Sequence, residues 1–139
     1  MKTYDHRKNI YYSLKKFQLE HLKNLSTAAQ YWIVYENFLN RVAPESTVLD
    51  WGCGDGHFSY FLLSKGFNTY SFNVNKEDSY NPDGCKLEDF LSSEFQGSFK
   101  YKIAMQDPIH LPYEDESFDA VVSVGVLEHV RQFGGNEIK

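Results

Sequence analysis

Between residues 48 and 56 the chain reads Val-Leu-Asp-Trp-Gly-Cys-Gly-Asp-Gly, and no other stretch limits its fold as much. Thr47 to Trp51 form a short apolar strand that carries one acidic residue, Asp50, and runs into a turn with glycine at 52, 54 and 56. Phe58 to Lys65 have helical character directly afterwards, with Gly66 placed for a left-handed C-terminal cap. A plain strand-to-helix turn needs one glycine. Alternating glycines let the backbone take positive φ repeatedly and come close to a ligand. The helix N-terminus is then expected to turn exposed N–H groups and the positive end of its dipole toward that ligand. Such an arrangement suits a carboxylate or a phosphate.

The segments that follow repeat the alternation. Thr69 to Val74 read as a second strand, Tyr101 to Met105 as a third and Ala120 to Val126 as a fourth. Leu87, Phe90, Leu91 and Phe95 give a helical stripe behind the turn-rich Asn81-Pro82-Asp83-Gly84. Strand and helix in alternation predict an α/β fold, a parallel sheet with helices packed on its faces. Ahead of it, residues 10 to 43 read as two helices. Ile10, Leu14, Phe17, Leu22 and Leu25 make one apolar stripe, which breaks at Leu25-Ser26-Thr27. Thr27 to Gln30 have capping-box spacing, and Trp32, Ile33, Leu39 and Val42 make a second stripe that Pro44 stops. Residues 1–45 are therefore expected as an N-terminal helical cap and 46–139 as the α/β domain. Tyr11, Tyr12, Tyr31 and Trp32, aromatic at helical spacing, are expected in the core rather than in a lid.

Charge and cysteine usage narrow the class of partner. The formal net charge is −5, and acidic residues are spread along the whole sequence. Basic residues gather only around Arg7, Lys8, Lys15 and Lys16, which a solvated helix face explains. On that ground no nucleic-acid partner is expected. Cys53 and Cys85 stand far apart without ligand or disulfide spacing, and the first seven residues are too polar for a signal peptide. No apolar run approaches the ~20 residues of a membrane helix. A cytoplasmic protein without membrane contact is the expectation. The glycine spacing also separates nucleotide ligands. The dinucleotide fingerprint G-x-G-x-x-G needs its third glycine where His57 stands, and a Walker A loop needs a Gly-Lys-Ser/Thr that is absent.

What remains, Val-Leu-Asp-Trp-Gly-Cys-Gly-Asp-Gly, resembles motif I of the class I S-adenosylmethionine (SAM) dependent methyltransferases. Asp107-Pro108-Ile109-His110-Leu111-Pro112-Tyr113-Glu114-Asp115-Glu116-Ser117-Phe118-Asp119 resembles that family's stretch between the third and fourth strands. Val121 to Val130 look like its fourth strand and the turn behind it. The three motifs stand in the family's order and cover roughly Thr47 to Val130. The resemblance implies a Rossmann-like sheet in the order 3-2-1-4, SAM as cofactor, and transfer of a methyl group to oxygen or nitrogen of a small-molecule acceptor. It also implies cofactor contacts from Asp50, Gly52, Cys53, Gly54, Gly56, Asn73, Val74, Asp107, Pro108 and Val124. Within that set the glycine turn lies under the methionine moiety, Asp50 helps hold its amino end, and Asp107 accepts from the adenine amino group.

Two departures from the family pattern carry expectations of their own. Asn73 occupies the position where an acidic residue grips both ribose hydroxyls. It offers one neutral acceptor, at a cost of roughly 1 kcal/mol in cofactor binding. The sequence also supplies four of the family's seven strands, so a fold cut short after the fourth strand is expected, with that strand's edge open to a second copy. A non-catalytic SAM-binding module is the alternative that both departures suggest. His129 is the candidate general base, because it follows the fourth strand. Glu128-His129 resembles part of a divalent-cation motif, but Gly125 stands where the first glutamate belongs, and no metal is expected. The signature of amino-methylating DNA enzymes is absent from the corresponding Gly125-Val126-Leu127-Glu128.

Overall fold

The computed structural model describes residues 24–54, 56–74, 87–104 and 110–126. In chain order the elements are α1 (Leu25–Leu39), β1 (Thr47–Trp51), α2 (His57–Ser64), β2 (Asn68–Val74), α3 (Leu87–Glu94), β3 (Phe99–Ala104) and β4 (Ala120–Val122). The strands form one parallel sheet in the order β3-β2-β1-β4, as the resemblance implied.

Residue alternation along the strands explains what each sheet face carries. Val48 and Asp50 of β1 lie in register with Thr69 and Ser71 of β2, and all four are buried. Their face meets the helices. Val48 joins Phe58, Phe61 and Leu62 of α2, Ala28 and Tyr35 of α1, and Leu91 of α3 in the main hydrophobic core. Tyr35 stacks on Phe61 with centroids 4.1 Å apart and meets Phe58 edge-on at 4.7 Å. The other face carries Leu49, Tyr70 and Phe72. Tyr113 and Phe118 pack there, with Phe118 at 5.3 Å from Tyr70 and 4.9 Å from Tyr113.

Helix α1 begins earlier than the capping-box spacing predicted. Asn24 is its N-cap, and the Asn24 side chain accepts from both the backbone amide and the hydroxyl of Thr27. Thr27 thus stands at the third helical position, and Leu25-Ser26-Thr27 is the helix's first turn rather than a break. An asparagine three residues upstream satisfies the free amide outright, so no Thr27–Gln30 box is required. The buried stripe also differs from the expected one. Ala28, Tyr31, Trp32, Tyr35, Phe38, Leu39 and Val42 face the core, whereas Ile33 is 61% exposed. Tyr31 and Trp32 are therefore core-packed as expected; Tyr11 and Tyr12 lie outside the described residues.

Helix α2 ends as the sequence predicted. Gly66 takes φ 85°, its amide donates to Leu63 O and that of Phe67 to Leu62 O, which is the paired closure of a Schellman motif. Strand β4 is shorter than expected, ending at Val122 instead of Val126. Its ladder with β1 stops at the Asp50–Val122 pair, one residue before β1 ends at Trp51. At the opposite end of the sheet, Asp119 fixes β4 to β1. Its carboxylate accepts from Thr47 N at 2.7 Å, and its amide donates to Thr47 O at 2.9 Å. No helix among the described residues is long and apolar enough to cross a membrane.

Candidate functional site

From β1 the chain moves through α2 to β2 and through α3 to β3, then returns to place β4 on the other side of β1. The strand order reverses between β1 and β4. In open α/β sheets, ligands bind outside the carboxyl ends of the strands at such a switch point. The glycine turn leaves the carboxyl end of β1, beside the end of β2 and the segment that follows β4.

All three turn glycines adopt left-handed backbone: φ is 75° at Gly52, 53° at Gly54 and 92° at Gly56. Their surroundings differ. A Cβ on Gly52 would meet Val126 Cγ2 at 2.5 Å, so the segment after β4 rests directly on the turn. A Cβ on Gly54 would meet nothing within 4 Å, and Gly54 is exposed. Gly56 is the N-cap of α2 and gives it no side-chain cap.

The amides of the turn do not all face outward, contrary to expectation. Gly52 N and Cys53 N both donate to Phe72 O, at 2.8 and 3.1 Å, and Gly56 N donates to Cys53 O at 2.8 Å. Continuing the β1–β2 ladder into the turn satisfies these donors at no cost in new elements. What the turn offers a ligand is consequently the space over Gly54, its carbonyl oxygens and the amides of His57 and Phe58 at the start of α2, since the Ser59 amide bonds Asp50.

Beneath the turn lies a buried polar chain. Ser59 Oγ donates to Asp50 Oδ2 at 2.6 Å and stands 2.7 Å from Ser71 Oγ. Asp50 is 2% exposed, and Ser59 and Ser71 are fully buried. Burial pushes the Asp50 carboxyl up to about 7, with hydrogen bonds from the Ser59 hydroxyl and backbone amide pulling less strongly the other way. The buried Tyr35 hydroxyl is driven well above the ordinary phenol range by burial, then by the charges of Asp50 and Tyr31. Ser59 and Ser71 escaped the sequence reading. The available signal was the run of Thr69, Ser71 and Asn73 at alternate positions in a strand expected to be buried on both faces.

The other site residues divide by position. Asn73, in the same alternating row as Ser71, donates from Nδ2 to Gly54 O at 3.4 Å, so the end of β2 and the turn do meet. Cys53 is buried. His57, 7% exposed, meets the edge of Tyr31 at 4.9 Å, linking α1 to the start of α2. Burial, then Cys53 and Tyr70, raise the Tyr113 hydroxyl, which sits close to the turn from the opposite sheet face. Val124 is half-buried and packs against the core just past β4. Asp55, Asp107, Pro108, Glu128 and His129 lie outside the described residues, as does the side chain of Val74.

A model of a methyltransferase domain matches residues 49–135. An uncharacterized protein of Methanocaldococcus jannaschii is 36% identical over 93 residues, which cover 66% of this chain and 34% of that protein. The probable tRNA methyltransferase 9B of Bos taurus is 28% identical over 100 residues, covering 70% of this chain and 18% of its own length. Among solved structures, coclaurine N-methyltransferase bound to N-methylheliamine and SAH matches with a TM-score of 0.51 at 16% identity, over 86% of this chain and 42% of that one. At that identity the likeness shows the fold. The chain thus spans about a third or less of the length of these curated relatives.

The relatives named as probable tRNA methyltransferases, from cattle, mouse and human, overturn the expectation that nucleic acid is excluded. That expectation rested on the net charge of −5, on acidic residues spread along the sequence and on basic residues gathering only around Arg7, Lys8, Lys15 and Lys16. The charge pattern of a segment that spans 18% of such a relative does not constrain charge elsewhere along its length.

Proposed function

Because the chain belongs to the methyltransferase-domain family, we propose that its glycine turn binds SAM and that the protein transfers the methyl group to an acceptor. One observation carries this reading. Positive-φ glycines at the carboxyl end of β1 stand at the switch point of a 3-2-1-4 parallel sheet, with open space over Gly54. The groups around that space fit the donor. The ammonium of its amino-acid end calls for acceptors, which the turn carbonyls supply, with the buried Asp50 carboxyl beneath them. The carboxylate of that end calls for donors, which the start of α2 supplies. Asn73 offers a neutral hydrogen bond to ribose, and the resemblance assigns the adenine amino group to Asp107, with Pro108, Val74, Cys53 and Val124 as further cofactor contacts.

Bound there, SAM supplies a methyl group already activated on a sulfonium. The protein's part is to hold the donor and acceptor in line and to keep water out, and orientation of this kind supplies much of the rate. No proton-transfer step is assigned to His129. For the acceptor we favour RNA, on the support of the tRNA methyltransferase relatives. The lack of metal-ligand or disulfide spacing at Cys53 and Cys85 supports a cytoplasmic location. A non-catalytic SAM-binding module is the second reading, favoured by the neutral Asn73.

Calorimetric titration with SAM and with SAH tests donor binding. Saturable heat and a raised melting temperature are expected, and the absence of both at millimolar ligand refutes the proposal. Incubation of the protein with methyl-labelled SAM and bulk tRNA tests the rest. Label in RNA supports the enzyme with an RNA acceptor; donor binding without label in any acceptor tried supports the non-catalytic module.

A further inference from the structure

The buried chain Ser71–Ser59–Asp50 touches each piece of backbone that forms the glycine turn. Asp50 lies two residues before Gly52. Ser59 lies in the first turn of α2, which the left-handed Gly56 opens without a side-chain cap of its own. Ser71 directly precedes Phe72, whose carbonyl accepts the Gly52 and Cys53 amides. The turn is thus held from β2 by the Phe72 carbonyl and from beneath by three side chains in line. All three are at most 2% exposed, in a protein where such polar groups are costly to bury unless they serve each other.

We propose that Ser59 and Ser71 are positioning residues for the methyl donor, holding the Asp50 side chain beneath the glycine turn and governing the charge it presents to the ammonium of the donor's amino-acid end. This rests on the SAM reading above. When Asp50 is ionised, the single hydroxyl proton of Ser59 goes to Asp50 Oδ2 at 2.6 Å, and the 2.7 Å bond between the two serines then takes its proton from Ser71. Ser71 therefore strengthens Ser59 as a donor, and Ser59 in turn favours the ionised carboxyl. Among the described residues the other ionisable groups near this chain include the buried Cys53 of the turn. Helix α1 contributes Tyr31 and Tyr35, and α2 contributes His57 at its start. The same face of β2 carries Thr69 and Asn73, and β4 carries Ala120, Val121 and Val122, none of which ionises. Burial holds Asp50 near its midpoint at neutral pH, so donor binding draws on a carboxyl that is only partly ionised there.

The test is SAH titration by calorimetry across pH 5.5–8.5 on the wild type, Ser71→Ala and Asp50→Asn, with a melting curve for each at every pH. The ligand's own amino group titrates alike in all three, so the comparison is between profiles. Wild-type affinity is expected to rise with pH by up to about tenfold per unit below the midpoint, relative to Asp50→Asn. The Ser71→Ala profile is expected at higher pH, by about half a unit or more, with an unchanged plateau at the alkaline end. Ser71→Ala lowering affinity by one factor at every pH overturns the proposal, because a purely structural serine does that. Superimposable wild-type and Asp50→Asn profiles also overturn it while leaving SAM binding intact. Absence of SAH binding in the folded wild type at every pH instead refutes the donor reading, and this inference with it.

Discussion

Gly52 and Gly54 look alike in sequence, yet the structure gives them separable roles that alanine can expose. Both residues hold left-handed backbone, at φ 75° and 53°, so an alanine at either costs roughly 1 kcal/mol in conformation alone. Gly52→Ala adds a steric term. Its Cβ would lie 2.5 and 2.6 Å from the two methyl groups of Val126, and relieving that overlap costs about 1–3 kcal/mol more. Gly54→Ala adds none, since nothing stands within 4 Å. Urea denaturation should therefore find Gly52→Ala destabilised by about 2–4 kcal/mol and Gly54→Ala by about 1 kcal/mol. Ligand binding should rank the folded proteins the other way. A methyl group over Gly54 intrudes on the space assigned to the donor, so SAH affinity should fall tenfold or more, equivalent to about 1.4 kcal/mol. Equal stability costs would refute the packing of Val126 on the turn, and full SAH affinity in Gly54→Ala would refute the assignment of the space above it.

Asp50 binds its proton more tightly folded, with its carboxyl at about 7 against an ordinary 3.8, so its contribution to stability is fully present below the lower value and is lost as pH rises through about 7. The loss is roughly 1.4 kcal/mol per unit. Unfolding free energies of Asp50→Asn and wild type should accordingly differ more favourably to the variant at pH 8 than at pH 5; a gap constant with pH defeats this reading. Asn24→Ala removes the acceptor for the Thr27 amide and hydroxyl and should cost about 1 kcal/mol in chemical denaturation. Asn73→Asp restores a charged acceptor for ribose and should tighten SAH binding several-fold by about 1 kcal/mol, whereas weaker binding would show that the Asn73 amide bond to Gly54 O matters more.

Much of the site was legible along the chain because its backbone is local. Left-handed φ at 52, 54 and 56 requires glycine whatever packs nearby, and the Gly66 cap is equally local. The polar face of β2 was harder to read. Thr69, Ser71 and Asn73 stand out only once β2 lies beside β1 and under α2, because a serine in a strand looks the same whether it meets water or a carboxyl group. Asp119 was read only as the end of a stretch between the third and fourth strands; the structure shows its carboxylate holding the start of β1. The exclusion of nucleic acid failed because the charge pattern of this segment says nothing of what lies elsewhere in a longer relative.

Hydrophobic spacing and glycine placement determined by themselves that strands and helices alternate, that the sheet is parallel, and where the chain makes its left-handed glycine turn. These are properties of short windows, governed by backbone sterics and by which side chains seek an apolar face. Only the folded chain decided where turn donors point, which residue holds Asp50 and how far β4 extends. Each of those depends on a partner distant in sequence: Phe72 O for the amides of Gly52 and Cys53, Ser71 behind Ser59, and pairing with β1 for the extent of β4. Hydrogen-bond satisfaction and burial are settled between elements, so they come into being only when the elements meet.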